Sequence, residues 1–489
     1  MNNDFLTLNL ENLERFFPDN FSEEELAKGK TLLLKKLSLV LHKFYNGKTE
    51  IIPKVGLYGF NWFNIWYTPG VSAVSTAIRD DNELSYDLTN RGNTVAIVSD
   101  STRVLGDGDC TPPGGLGVME GKALLMKMLG GIDAIPLCID SRDVKGNNNP
   151  YKMIDFVKMV QHSFGAVNLE DISQPNCYKV LDTLREECDI PVWHDDAQGT
   201  ASVTLAGLIN ALKLVNKKMG EIKTVFLGAG ASNTAIARIT VTAGVDPQKI
   251  IMFDAKGALS NKRNDIERDE TLYRKWEICL TTNPNNVTEI ENAVKDADVL
   301  IALSKPGPDA VEPKWIKSMN NKPIVFACAN PIPEIYPYAA KQAGAYIVAT
   351  GRGDFPNQIN NSLGFPGILK GALIVRASKI TDGMAIAAAQ SLAEYAEKRG
   401  ITPENIIPKM TETDVFPLEA LAVARKAIEE GVAGRIITDD EIFKRADTDI
   451  KKARATYDLL SEQNIIPRPD MQIIKSVIDE VVKEVRSKS

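Results

Sequence analysis

Histidine is scarce in this chain and cysteine is unpatterned. Three histidines occur in 489 residues, and the six cysteines, at 110, 138, 177, 188, 279 and 328, show no Cys-x-x-Cys spacing. A zinc centre built on imidazole and thiolate is therefore not expected. The lack of a cysteine framework points instead to reduced thiols in a reducing compartment. No apolar run approaches the roughly 20 residues that span a bilayer, so no membrane partner is expected. Positive charge is not in excess: Lys and Arg number 57 against 64 Asp and Glu, a net charge of −7, which argues against nucleic acid and anionic lipid. The opening Met1-Asn2-Asn3-Asp4 carries an acid early, with no basic-then-apolar stretch, so no secretory leader is expected. Internal repeats and low-complexity segments are also missing. What remains is a cytoplasmic protein with a small-molecule partner.

The length calls for two or three domains, because a single core stops growing well short of it. The divisions expected are a helical extension over 1–44, an α/β domain over 45–198, a nucleotide-binding domain over 199–382, and a helical region over 383–489. Buried strands are read at Val95–Ser99, Ile135–Asp140, Ala166–Ile172, Ile190–Trp193, Thr224–Leu227, Ile250–Asp254, Ala297–Ser304, Pro323–Asn330 and Ala345–Thr350. They alternate with helical segments, among them 21–45, 176–187, 383–400, 415–430 and 470–486. That alternation predicts an α/β fold: a doubly wound, Rossmann-like parallel sheet preceded by a smaller α/β domain.

The chain's chemistry gathers between residues 190 and 258. Thr224–Leu227 runs into Gly228-Ala229-Gly230-Ala231-Ser232-Asn233 and then a helix, and the next strand ends on Asp254. Strand, glycine turn, helix, strand, acid is the order a dinucleotide site needs. Glycines let the backbone approach the pyrophosphate, the helix N-terminus attracts it, and the acid accepts from a ribose hydroxyl. Asn233 stands where the third glycine is usual, and Asp254 lies a few residues beyond the interval of roughly 20. Just upstream is His194-Asp195-Asp196-Ala197-Gln198-Gly199-Thr200-Ala201. Its two acids read either as a solvated turn with a helix cap or as metal ligands, which would need further oxygens from elsewhere.

A second acid pair, Glu170-Asp171, closes the strand before it. Neighbours on a strand face opposite ways, so both can reach one ion only if the chain turns at that point. The stretch from Asp100 through Arg103 to Pro112-Pro113-Gly114-Gly115 reads as a long loop, with a helix opening near Glu120-Gly121-Lys122. Lys122 either snorkels or, if buried beside a site, has a depressed pKa suited to base catalysis. Tyr67, among the aromatics of Trp62–Val71, reads by composition as ordinary core.

Together the stretches Tyr67-Thr68-Pro69-Gly70-Val71, Val118–Ala123, Leu169–Ile172, His194–Ala201, Gly228-Ala229-Gly230, Ala329-Asn330-Pro331 and Asn357-Gln358-Ile359-Asn360-Asn361 resemble the malic enzyme family in its shorter form, in the family's order from about residue 45 to 440. The resemblance implies oxidative decarboxylation of L-malate to pyruvate and CO₂, with a divalent metal, Mg²⁺ or Mn²⁺, and NADP or NAD. It implies Glu170, Asp171 and Asp196 as metal ligands and Lys122 as general base with Asp195 beside it. Tyr67 would be the acid that protonates C3 of enolpyruvate, against the compositional reading. Arg103, Asn330 and Asn361 would hold the substrate carboxylates, with Asn330 also at the cofactor.

Lys256, in Asp254-Ala255-Lys256-Gly257, resembles the family's NADP-selecting pattern, with Lys262 and Arg263 adding to the field. A homodimer or larger homo-oligomer is implied. A malolactic-type enzyme that makes lactate, and a non-catalytic cofactor-binding regulator, are the alternatives. The loop Asp107–Pro113 departs from the family's usual Gly-Leu-Gly-type continuation. Residues 1–44 and 445–489 extend beyond the shorter forms and are expected at oligomer contacts.

Overall fold

Two parallel sheets organise the chain. The computed structural model describes residues 10, 12–104 and 107–487, so parts of the N-terminal extension and two residues of the Asp100–Gly108 loop lie outside the described residues. Two compact units emerge: Pro53–Ala453, and a smaller one from residues 1–52 and 454–489.

In the large unit the first sheet contains β1 Thr94–Ser99, β2 Asp133–Cys138, β3 Ala166–Leu169 and β4 Val192–His194, in the order β2-β1-β3-β4, all parallel. The second contains β5 Thr224–Leu227, β6 Ile250–Asp254, β7 Gly257–Ala258, β8 Val299–Ala302, β9 Ile324–Ala327 and β10 Ile347–Thr350. Its order is β10-β9-β8-β5-β6-β7, parallel except for the short antiparallel β7. Both faces of each sheet are covered, which is why the strands read as continuous apolar runs rather than alternating ones. Phe226 on β5 and Phe326 on β9 are fully buried. Truncating either to alanine would cost about 3–5 kcal/mol.

The helices that position the site are α1 Thr111–Gly130, α2 Thr200–Val215, α3 Ala231–Thr242, α4 Phe365–Ile374, α5 Asp382–Arg399 and α6 Val415–Glu429. The first begins nine residues earlier than the sequence reading places it. Pro112 and Pro113 occupy its first turn, where a missing N–H costs nothing, so what reads as loop opens the helix. The glycine-rich segment before Phe365 likewise leads into α4, all ten residues of which are buried.

The smaller unit pairs Glu23–Tyr45 with Met471–Ser487. The first of these helices opens on a capping box, Ser22 Oγ accepting from the Glu25 N–H and Glu25 Oε2 from the Ser22 N–H. Leu33, Leu37, Ile474, Val477 and Val481 form their shared seam, flanked by Lys36 bridging Glu480 and Glu484 at 2.5 and 2.8 Å.

Candidate active site

Two neighbouring strand ends of the first sheet, those of β3 and β4, deliver acids. β3 stops at Leu169, and Asp171 then adopts φ 53°, the left-handed region that most residues avoid. This turn lets adjacent carboxylates serve one point. One oxygen from each of Glu170, Asp171 and Asp196 lies within 4.8 Å of the others, and the Asp171 N–H donates to Asp196 Oδ2 at 2.8 Å. Glu170 and Asp171 are buried. Asp195 and Asp196 enter from β4 through a π-helical turn, Asp195–Gly199, before α2 begins. Such single widened turns recur at functional sites. Gly199 is required by closeness: a Cβ there would lie 1.9 Å from Asp195 Oδ1 and 3.3 Å from Asn361 Cβ.

Lys122 reaches this cluster from the middle of α1. It is buried, donates to Asp195 Oδ2, lies 3.1 Å from Glu170 Oε1, and has the Phe365 ring 4.7 Å from its Nζ. Asn168 Nδ2 holds Glu170 Oε2 at 2.9 Å and Trp193 Nε1 faces Asp195 Oδ1 at 3.4 Å. Burial by itself would lower the Lys122 pKa, but Asp195, Glu170 and Asp196 outweigh it and hold the ammonium above its ordinary value. The depressed lysine expected from sequence is thus corrected: burial is present, and so are three nearby carboxylates. Burial and then the charge of Asp196 push the Glu170 carboxyl up, while burial, opposed by Lys122, raises that of Asp195. Three carboxylates, Glu170, Asp195 and Asp196, act on one ammonium, and Asp171 adds a fourth to the cluster. A buried surplus of negative charge is what hard-oxygen ligands of a divalent cation look like.

The other predicted residues divide. Arg103 is at the cluster's edge, its N–H donating to the Asp171 carbonyl at 3.0 Å with its side chain exposed. Asn361 abuts the Asp195–Gly199 turn. Asn330 follows β9 and packs against Gly351, whose Cβ position is 2.8 Å from its Nδ2. Tyr67 is neither core, as its composition suggests, nor hydrogen-bonded to the cluster. It is 72% exposed on a stretch where Tyr58, Phe60, Phe63 and Trp66 are exposed too.

The glycine turn after β5 is tight and braced, as the expected dinucleotide cradle requires. Gly228 has φ 97°, and a Cβ on it would lie 2.3 Å from the Leu303 carbonyl. Asn233, in the third-glycine position, is buried and donates from Nδ2 to the carbonyls of Leu227 and Gly228 at 3.0 and 2.8 Å, bracing the turn. The first residues of α3 follow Gly230, which offers no side-chain cap, so the helix amides are left for an anion. Ser232 Oγ donates to the Asp196 carbonyl at 2.9 Å, which couples this cradle to the acid cluster.

At the end of β6, Arg263 grips both oxygens of Asp254 at 3.0 Å and also binds Asp265 at 2.7 Å. Lys256 is exposed, with Nζ 3.3 Å from Asp265. Three organising residues carried no sequence signal strong enough to assign: Phe365 over Lys122, Asn168 behind Glu170, and buried Glu334. The last accepts from the Ser304 and Ala329 N–H groups at 2.7 and 3.1 Å and ties the ends of β8 and β9 together. Only its place after Asn330-Pro331 marks Glu334 in the sequence.

Known proteins resemble the chain along most of its length. Residues 48–185 match the malic enzyme N-terminal domain and residues 197–428 the malic enzyme NAD-binding domain. A bifunctional malic/malolactic enzyme of Bacillus subtilis is 42% identical over 84% of this chain and 97% of its own length. An NAD-dependent malic enzyme of Geobacillus stearothermophilus is 44% identical over 79% and 78%. An NADP-dependent malic enzyme of Halomonas elongata is 36% identical over 76% and 87%. The crystal structure of Entamoeba histolytica malic enzyme superposes with a TM-score of 0.95 at 62% identity, covering 97% of this chain and 98% of that one. On these matches the chain, with its Rossmann-like nucleotide domain and smaller N-terminal α/β domain, belongs to the malic enzyme family.

Proposed function

We propose that the chain oxidises and decarboxylates L-malate to pyruvate and CO₂, reducing NADP in preference to NAD, with Mg²⁺ or Mn²⁺ held by Glu170, Asp171 and Asp196. The observation that carries this reading is Lys122, buried against Asp195 and Glu170 at the edge of the three-carboxylate cluster. A regulator without chemistry has no use for such a charge-imbalanced site.

Lys122 takes the proton of the malate hydroxyl. Asp195 orients its Nζ, which lies against the Phe365 ring. Asp195 is the foremost of the carboxylates that raise Lys122; a dication held by Glu170 and Asp196 would offset the other two and leave burial more weight in lowering the lysine toward a base. A divalent ion bound there supplies Lewis-acid polarisation of the substrate oxygens, and NADP bound at the Gly228–Asn233 turn supplies the hydride acceptor. Arg103, Asn330 and Asn361 orient the carboxylates of the substrate. The decisive assay follows reduced cofactor with malate, Mn²⁺, and NADP or NAD in turn. No reduction with either would end this reading.

The likeness to a bifunctional malic/malolactic enzyme supports a second reading, in which the cofactor is retained and lactate is released. Product analysis separates them: lactate without net reduced cofactor, against pyruvate with it.

Membership of the family also supports Tyr67 as the acid at C3. Its exposure, on a stretch of exposed aromatics, fits a homodimer in which a second copy covers residues 57–67 and Tyr67 acts in a shared site. Mixing inactive Tyr67→Phe and Lys122→Ala chains should then restore activity in hybrid dimers. No recovery after verified subunit exchange would confine Tyr67 to another role.

A further inference from the structure

A cavity of about 390 Å³ opens in the large unit on residues the acid cluster does not use. It is of a size that suits a small ligand. Five cationic side chains line it: Lys54, Lys370, Arg376, Arg435 and Arg445. Two acids, Asp87 and Asp449, oppose them. A lining surplus of three positive charges (5 − 2) reverses the balance of a chain whose net charge is −7. A concave surface of one sign focuses its field on whatever enters.

The wall is fixed rather than incidental. Lys370, on α4, is 2% exposed and held by Asn93 Oδ1 at 2.9 Å and Asp449 at 2.5 Å. Arg376 pairs with Asp87 and lies over the Tyr86 ring, on which Arg91 also stacks. Both lining acids are thereby occupied. The other three cations make no direct ion pair with either acid among the described residues. Lys54 bonds the neutral amide of Asn90, and Arg445 pairs with Glu441 one turn back on its own helix, a weak surface contact. Arg435 makes no ion pair among the described residues.

We propose that this cavity is a binding site, apart from the catalytic cluster, for a small dianion whose carboxylate or phosphoryl oxygens pair with Arg435, Arg445 and Lys54. Guanidinium forks match both kinds of oxygen, and a dianion would offset most of the surplus charge. The inference does not depend on the reaction proposed above.

Isothermal titration of the full chain with inorganic phosphate and with malonate, at ionic strength held constant with chloride, tests it. Saturable binding of one or both probes is expected, weakened about tenfold or more by Arg435→Glu, partly kept by Arg435→Lys, with malate turnover unchanged in both variants. Sensitivity of phosphate alone assigns a phosphoryl ligand, and of malonate alone a carboxylate one. Should the charge reversal unfold the chain, Arg435→Gln carries the same expectation. Superimposable isotherms for wild type and variant with both probes, or no saturable binding of either at millimolar concentration, overturn the site.

Discussion

Arg263→Ala is the substitution that tests the cofactor proposal hardest. An acid at the end of the second nucleotide-domain strand ordinarily accepts from the ribose 2′-hydroxyl and repels a 2′-phosphate. Here Asp254 is not free to do so, because Arg263 binds both its oxygens at 3.0 Å and both side chains are largely buried. The acid is neutralised in place, and the guanidinium next to it is the group a 2′-phosphate would meet. Lys275, 4.0 Å from Asp254, would be left as the cation nearest that carboxylate after the substitution.

Losing charge-assisted hydrogen bonds of this kind costs about 1.5–3 kcal/mol, and at 1.4 kcal/mol per decade that is about 10- to 150-fold in kcat/KM for NADP. With NAD the freed carboxylate can accept from the ribose hydroxyl, so kcat/KM should hold or rise. Steady-state kinetics with both cofactors decides the matter, beside a melting curve to show that Asp265, which shares the arginine, has not taken the loop down with it. An equal fall with both cofactors, or a wild-type enzyme more efficient with NAD, would refute the reasoning. Lys256 is the lesser determinant, since its ion pair is exposed.

Lys122→Ala should lower malate oxidation by the 10²–10⁴-fold typical of a lost general base, with NADP affinity by titration nearly unchanged; near-wild-type turnover would show the base misassigned. Asp196→Asn should weaken Mn²⁺ binding sharply in calorimetry, and an unchanged affinity would transfer the ligand role to Asp195. Gly199→Ala should cut turnover at least as far as it lowers Tm, because its Cβ would meet Asp195 Oδ1 at 1.9 Å and push it from Lys122; full activity would mean the turn relaxes elsewhere. Glu419 is fully buried on α6, neither carboxylate oxygen has a hydrogen-bond partner among the described residues, and burial raises its pKa well above the usual range. A raised carboxyl favours the folded state below the unfolded pKa and loses that contribution as pH rises toward the folded one. Glu419→Gln should therefore gain Tm over wild type as pH climbs from about 4 to 8, and a pH-independent difference would count against the buried proton.

Strands were the most legible part of the sequence because parallel sheets covered on both faces demand unbroken apolar runs. Thr94–Ser99 and Ile324–Ala327 could hardly be read otherwise. The acid pairs were legible as pairs, and the argument from strand geometry that Glu170 and Asp171 need a turn between them is met by the positive φ of Asp171. Helix starts were less legible. Pro112, Pro113 and the glycines after them carry loop propensity, and only tertiary packing reveals that the prolines fill a first turn.

Charge at the site was the hardest quantity to read, since it depends on what converges there and not on any local string. From sequence Lys122 reads either as a snorkelling lysine or as a buried one, and burial alone lowers a lysine. Asp195 and Asp196 were a pair that a turn and a helix cap would explain equally well. Only when β3, the Asp195–Gly199 turn and α1 bring three carboxylates around one ammonium does the sign of the Lys122 shift reverse. The same convergence separates a cap from a ligand. A helix-capping aspartate is satisfied by backbone amides, whereas this cluster retains more negative charge than the protein's own donors can balance. The shortfall is therefore a property of the fold, assembled from strand ends that are individually unremarkable, and it is there that a divalent cation would find its complement.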